Sequence, residues 1–266
     1  MNVFDRSVVR QRRDRHAARF DEFDFLVHEA SERLLDRLED VTKPFPIALD
    51  LGCHTGQIAN SLMGRGGIET LVQCDLSFGM SKLAAANGNL TAVVDEEWLP
   101  FADSSFDLVL SCLSLHWVND LPGTLLQIRR ILKPEGLFLG LMLGGETLQS
   151  LRMSLAMAET EIEGGVSPRV SPFADVRDMG RLLQRAGFVL PVADTDRIEV
   201  RYADPFRLLR DLRGMGESNA VSQRRKSPMR RSTLLTALQT LSQDNTGSDG
   251  RIPAVFELVG MTGWAS

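Results

Sequence analysis

The chain has 266 residues, of which 43% are hydrophobic and 24% charged, the composition of a soluble globular protein with a sizeable core in one large domain or two small ones. A formal net charge of -5 argues against a surface built throughout for nucleic acid and leaves local basic patches to be weighed singly. No apolar run approaches the roughly 20 residues that would span a bilayer, so no membrane span is expected.

The first segment, MNVFDRSVVRQRRDRHAARF, lacks the apolar stretch of a secretion signal and carries Asp5 and Asp14, with Asp21 directly after it, acids that an organellar transit sequence avoids. A cytoplasmic protein is expected. Cys53, Cys74 and Cys112 have no CxxC spacing and lie in or beside apolar runs, as small buried hydrophobes do in a reducing compartment, and no disulfide is expected.

In chain order, residues 10–40 read as helical, with Val27, Ala30, Leu34, Leu35 and Leu38 on one stripe, ended by Pro44 and Pro46. Short apolar runs then alternate with helical segments: IALD at 47–50, LVQCD at 71–75, TAVVD at 91–95, FDLVLS at 106–111 and LFLGLML at 137–143. Runs this continuously apolar suit strands buried on both faces of a sheet. Before the last of them a helix is capped by Asn119 or Asp120, buries Leu121, Leu125, Ile128 and Leu132, and is stopped by Pro134 and Gly136. The pattern is doubly wound α/β.

Beyond residue 145 the spacing predicts helices over 146–161, 173–186, 204–213 and 232–242, a strand in DRIEVRY and a closing strand in AVFELVGM. Nothing repeats at a fixed period, and no linker marks an independent second domain. The expected organisation is an N-terminal basic helical arm (1–43), a core (44–143), a helical cover with the sixth strand (144–251) and the closing strand of the same domain (252–266).

Asp50, Asp75 and Asp95 each end a predicted strand, and in an open α/β sheet the carboxyl ends of the strands border the ligand crevice. Asp75 lies 19 residues beyond Gly56, about the interval at which an acid at the second strand accepts hydrogen bonds from ribose hydroxyls. The stretch Asp50-Leu51-Gly52-Cys53-His54-Thr55-Gly56, with LPF and LKPEG further on, resembles the class I S-adenosylmethionine-dependent methyltransferases. That resemblance implies a seven-stranded, mostly parallel, Rossmann-like sheet with AVFELVGM antiparallel, and S-adenosyl-L-methionine as cofactor. It places Asp50, Gly52, Cys53, His54 and Gly56 at the cofactor turn, Asp75 and Leu76 at the ribose, Asp95 and Glu96 at the adenine, and Ser111 near the methionine moiety. Without a ligand, Gly52 and Gly56 would simply make a tight strand-to-helix turn. His54 departs from the family's glycine, and its side chain is expected to point away from the cofactor, His being one of the few non-glycine residues enriched at positive φ.

A closer resemblance spans nearly the whole chain: MNVFDR, DEEWLPF, LSLHWVNDLPG, GGETLQSLR, AETEIEGGVSPRVSPF, DTDRIEV and DLRGMGESN are similar to the family of mitochondrial complex I assembly factors that hydroxylate an arginine, and to its bacterial relatives. It implies an enzyme acting on a protein side chain (arginine) or a small molecule, by methyl or hydroxyl transfer. The alternatives kept open are the carboxyl O-methyltransferase of a malonyl carrier protein in biotin synthesis and a non-catalytic assembly factor. His16, His28, His54 and His116 show no HxD or HxE pair, and no metal site is expected.

His116, in SLSLHWVND after the fourth strand, stands where it can orient or deprotonate an acceptor; a buried histidine satisfied by the backbone is the plainer reading. Glu217 and Asn219 in GMGESN offer a carboxylate and an amide to a guanidinium, or form a plain polar loop. The predicted catalytic residues are His116 and Glu217. Arg10, Arg12, Arg13, Arg15 and Arg19 could meet an acidic protein partner, although a solvated helix face is the commoner explanation, and nucleic acid is not expected without interleaved aromatics. The segment 144–230 is expected to form the acceptor pocket, with Met142, Met153, Met157 and Met215 near it.

Overall fold

The computed structural model describes residues 2–266. Its elements run α1 (Arg6–His16), α2 (Phe25–Glu39), β1 (Ile47–Leu51), α3 (Gln57–Ser61), β2 (Thr70–Asp75), α4 (Phe78–Ala84), β3 (Leu90–Val93), β4 (Phe106–Cys112), α5 (Leu121–Ile131) and β5 (Leu132–Leu143). The second half adds α6 (Gln149–Glu163), α7 (Val176–Arg185), β6 (Val189–Tyr202), α8 (Pro205–Gly214), α9 (Arg231–Asn245) and β7 (Ile252–Trp264). The strands form one seven-stranded sheet in the order β3-β2-β1-β4-β5-β7-β6. The first five pair in parallel, and β7 lies antiparallel between β5 and β6.

The apolar runs feed both faces because successive strand residues point to opposite sides. Ala48, Leu108, Leu137 and Leu139 face one core with the α2 stripe Val27, Ala30, Leu34, Leu35 and Leu38 and with α6 and α9. Their neighbours Leu49, Val109 and Phe138 face the other core, under α5 and α7. Helices on both faces make the sheet doubly wound.

Several elements differ from the sequence pattern. Among them, the strand expected over 91–95 and buried on both faces is β3, Leu90–Val93, which lies mostly exposed at the sheet edge and ends two residues before Asp95. The helix expected over 10–40 is broken between α1 and α2 by a 3-10 turn at Ala17–Glu22, with Arg19 at φ -130°. That break lets α2 cover the sheet while α1 crosses the carboxyl edge of the strands. The helix α5 ends at Ile131, before Pro134 and Gly136, because Ser104 N and Ser105 N take the carbonyls of Arg130 and Ile131 at 3.0 and 2.7 Å. Leu132 is already extended, so the proline and glycine lie within β5, where the ladder to β4 shifts register between Phe106 and Leu108.

The arm is pinned from two directions. Phe4 N donates to Asn119 Oδ1 at 2.7 Å, and Asp5 N donates to Ala220 O at 2.8 Å. Beneath them Phe4, Val9, Leu76, Trp117, Ala220 and Val221 form a small separate core. Asp5 caps α1 by accepting from Val8 N. Among the described residues no helix is long and apolar enough to cross a membrane.

Candidate active site at the carboxyl edge of the sheet

The turn after β1 runs through positive φ at Gly52 (79°), His54 (50°) and Gly56 (94°). Glycine is required at both ends for conformation, and at Gly52 for space as well. A Cβ on Gly52 would come 2.2 Å from Ser114 Cβ, and one on Gly56 would come 2.2 Å from Asn87 Nδ2. The His54 ring turns into the protein, stacking on Phe20 with ring planes 9° apart and placing Nε2 3.0 Å from Cys112 O. Burial, then the charge of Arg13, lowers its pKa, which keeps the imidazole neutral.

The parallel register brings the acids to one edge, but not to one role. Asp50 lies below the turn, fully buried, with neither carboxylate oxygen hydrogen-bonded. Burial pushes it up to about 8; the adjacent Gln73 amide offsets only part of this without making a hydrogen bond of normal geometry. Asp75 instead accepts from Ser77 N at 2.8 Å, His54 N at 3.2 Å and Arg13 Nη1 at 3.1 Å. Asp95 accepts from Arg6 Nη2 at 2.6 Å. Glu96 pairs with Arg6, lies 3.5 Å from Arg13 Nη1 and accepts from Ser114 Oγ. Burial alone would raise Glu96, but the two guanidinia outweigh it and hold its pKa well below the usual carboxylate range.

The arginines on these acids correct the reading of the arm as a solvated face. Arg13 is 2% exposed, and Arg6, outside the basic cluster, is largely covered. Arg10, Arg15 and Arg19 do face solvent. Sequence reasoning missed Arg6, Arg13 and Ser114; the available signal was that Ser114 follows a strand whose carboxyl end borders the crevice.

The remaining predicted residues divide. Cys53 and Leu76 are buried in the turn and in the small core under the arm. Ser111 Oγ donates to Leu51 O at 2.8 Å, so its hydroxyl is spent inside the sheet. His116 and Glu217 meet: His116 Nε2 is 3.0 Å from Glu217 Oε2, and Trp117 Nε1 donates to Glu217 Oε1 at 3.1 Å. Burial raises the Glu217 pKa, and His116, Trp117 and Arg13 together outweigh it, leaving the carboxyl low and ionised. An ionised Glu217 fixes the imidazole with its proton on Nε2, and His116 Nδ1 is buried without a partner. Asn219 points elsewhere, its Nδ2 donating to Pro168 O.

Two cavities flank this pair. One of about 460 Å³ is lined by His116 with Phe4, Leu115 and Met142. The other, about 710 Å³, is lined mostly by the second half of the chain, Glu217 included, together with Arg12 and Leu143; its apolar surface is mainly leucine, with Met229 the methionine that reaches it. Met153 and Met157 are exposed on α6 instead, and Met215 is buried. Among the described residues no group of three or more His, Cys, Asp and Glu is placed to hold a metal ion.

A methyltransferase-domain family model matches residues 49–140, the span from β1 to β5 that carries the turn and the acids. Mouse arginine-hydroxylase NDUFAF5, mitochondrial, is 46% identical, over 99% of this chain and 78% of its own length. The chain belongs to the class I S-adenosylmethionine-dependent methyltransferase family. It is an enzyme of that family, related to NDUFAF5, and S-adenosylmethionine is its cofactor. The malonyl-[acyl-carrier protein] O-methyltransferase of Methylovorus sp. is 33% identical, over 98% of this chain and 90% of its own. In fold, this methyltransferase superposes on the YcgJ protein of Bacillus subtilis with a TM-score of 0.62 at 13% identity, over 90% of this chain and 98% of that one.

Proposed function

We propose that this enzyme modifies an arginine side chain of a protein, using His116 as the base and Glu217 as the group that positions it. The observation that carries the reading is the buried His116–Glu217 pair after β4, whose Nδ1 has no partner. Likeness to a relative named an arginine-hydroxylase supports arginine as the acceptor. When bound, S-adenosylmethionine supplies an electrophilic methyl group on a sulfonium centre.

The chain's own groups then have distinct tasks. Asp75 accepts from the ribose hydroxyls and Asp95, with Glu96 beside it, meets the adenine edge. Gly52 and Gly56 let the backbone turn under the ligand, while Asp50, Cys53 and Ser111 shape the turn and the strand beneath it. The acids fit a nucleoside, being acceptors at adjacent strand ends, but each of Asp75, Asp95 and Glu96 is now bonded to an arm arginine. Cofactor entry therefore exchanges those bonds. Glu217, its oxygens accepting from His116 and Trp117, holds the imidazole in the tautomer whose Nδ1 can take a proton from the acceptor. The buried free cysteines suit a reducing compartment, and the cytoplasm is the proposed location.

The test incubates the protein with methyl-labelled cofactor and a cell extract, locating any modified residue by mass, for the wild type, His116→Ala and Glu217→Gln. An arginine that gains a methyl group supports the reading, with loss of product in both variants and cofactor binding retained; an arginine that gains an oxygen atom instead would overturn methyl transfer with His116 as the base. Label on a carboxyl group of a carrier-bound acyl chain would replace it with the malonyl-carrier reading.

A further inference from the structure

The 710 Å³ cavity has two unlike parts. Its interior is made of Leu143, Leu148, Leu151, Leu155, Leu212 and Phe256, all buried. Its mouth carries Arg12, Arg169, Arg213, Arg224, Arg225 and Lys226, while Glu217 is the carboxylate that lines it. That carboxylate accepts from His116 and Trp117, and its single negative charge offsets only one of the six cations.

The six cations are not equally compensated. Arg169 is held by Glu159 and Arg225 by Glu163, whereas Arg224 lies 3.6 Å from Asp5. Arg12 donates to a carbonyl, Ser218 O, rather than to an acid. Its guanidinium is pushed below its ordinary pKa by burial and then by the like charges of Arg224 and Arg15. Arg213 and Lys226 stand exposed at the rim. A cluster of like charges repels itself unless an anion joins it, and an apolar interior of this volume gains free energy only from an apolar occupant. Volumes of several hundred Å³ are those of small-molecule sites lined mostly by apolar groups with a few placed polar ones.

We propose that this cavity binds a single-chain anionic amphiphile, with its alkyl body against the leucines and its carboxylate or phosphate head among Arg12, Arg213 and Lys226. The site stands apart from the arginine reading, because a guanidinium acceptor would add a further positive charge to that mouth. It also uses neither the strand-end acids nor the His116 side of the dyad.

Dodecanoate, dodecyl phosphate, dodecanol and dodecyltrimethylammonium, each below its micellar concentration, provide a head-group series on one alkyl chain. Binding is followed by calorimetry and by the leucine methyl resonances of the full chain. Dodecanoate and dodecyl phosphate should saturate one site, at least tenfold tighter than dodecanol, with no binding of the ammonium; which anion binds tighter distinguishes a carboxylate source from a phosphate source. Arg213→Ala/Lys226→Ala, both exposed side chains, should weaken the anions about tenfold while leaving dodecanol and S-adenosylhomocysteine unchanged. Equal affinity for dodecanol and dodecanoate, an unaltered double variant, or no saturable site for either anion would overturn the proposal. Because none of these measurements uses turnover, an inactive enzyme leaves the result intact.

Discussion

Arg13 in α1 reaches Asp75 at the end of β2, Nη1 to Oδ2 at 3.1 Å, with both side chains buried. The contact ties the arm to an acid that the family resemblance assigns to ribose; on that assignment arm and cofactor would compete for the same acceptor. A binding-competent state that is only partly populated lowers apparent affinity by its fraction, and removing the competitor restores it.

Arg13→Ala should therefore tighten S-adenosylhomocysteine binding while destabilising the ligand-free protein, since Asp75 and Glu96 lose a buried partner. Breaking a buried pair typically costs several kcal/mol; an arm free to lift and admit water should keep the loss to about 3 kcal/mol or less. Calorimetric affinity and urea unfolding measure the two effects. If affinity falls instead, Arg13 helps to hold the cofactor, and the competition is wrong.

His54 occupies a positive-φ position that glycine would adopt freely, yet its ring stacks on Phe20 and meets Cys112 O. Replacement by glycine relieves backbone strain but leaves a void, deletes a buried hydrogen bond and gives the unfolded chain more freedom. His54→Gly should lose about 3 kcal/mol in urea unfolding, with cofactor affinity kept within a few fold because the ring faces away from the crevice. A stable variant with lost affinity would mean that the imidazole touches the ligand.

How far the sequence carried is clearest at the strand ends. Asp75 was legible because a run of apolar residues ending in an acid fixes both the strand and the edge it reaches, whereas β3 ends at Val93 and Asp95 lies two residues beyond it. Arg6 and Arg13 were not, since charges surround α1 on every side and nothing local says which turns inward. Docking decides it, through Phe4 and Val9 packing on Trp117 and Val221 far along the chain. The same holds for β6. DRIEVRY was readable, but Val189–Thr195 includes Pro191 and Asp194 and is strand only because β7 offers it a partner. His116 and Glu217 were each legible as polar residues near the crevice, whereas their mutual bond depends on how the cover closes.

Asp50 offers a test in which the sign is fixed by geometry. An acid whose pKa rises from 3.8 in the unfolded chain to about 8 in the fold binds its proton more tightly when folded. Below the unfolded value both states hold the proton, and Asp50 contributes no pH dependence. As pH rises from about 4 to about 8 the unfolded chain releases the proton and the folded one retains it, so stability falls; above about 8 both are ionised and the slope ends. Asp50→Asn keeps the shape and stays neutral throughout, so the titration of other groups cancels in the difference between the two proteins. The variant should match the wild type near pH 4 and exceed it by a few kcal/mol at pH 9, measured by urea unfolding at several pH values. A difference that is constant from pH 4 to 9 would show that Asp50 titrates alike in both states, as it would if water reached its carboxylate.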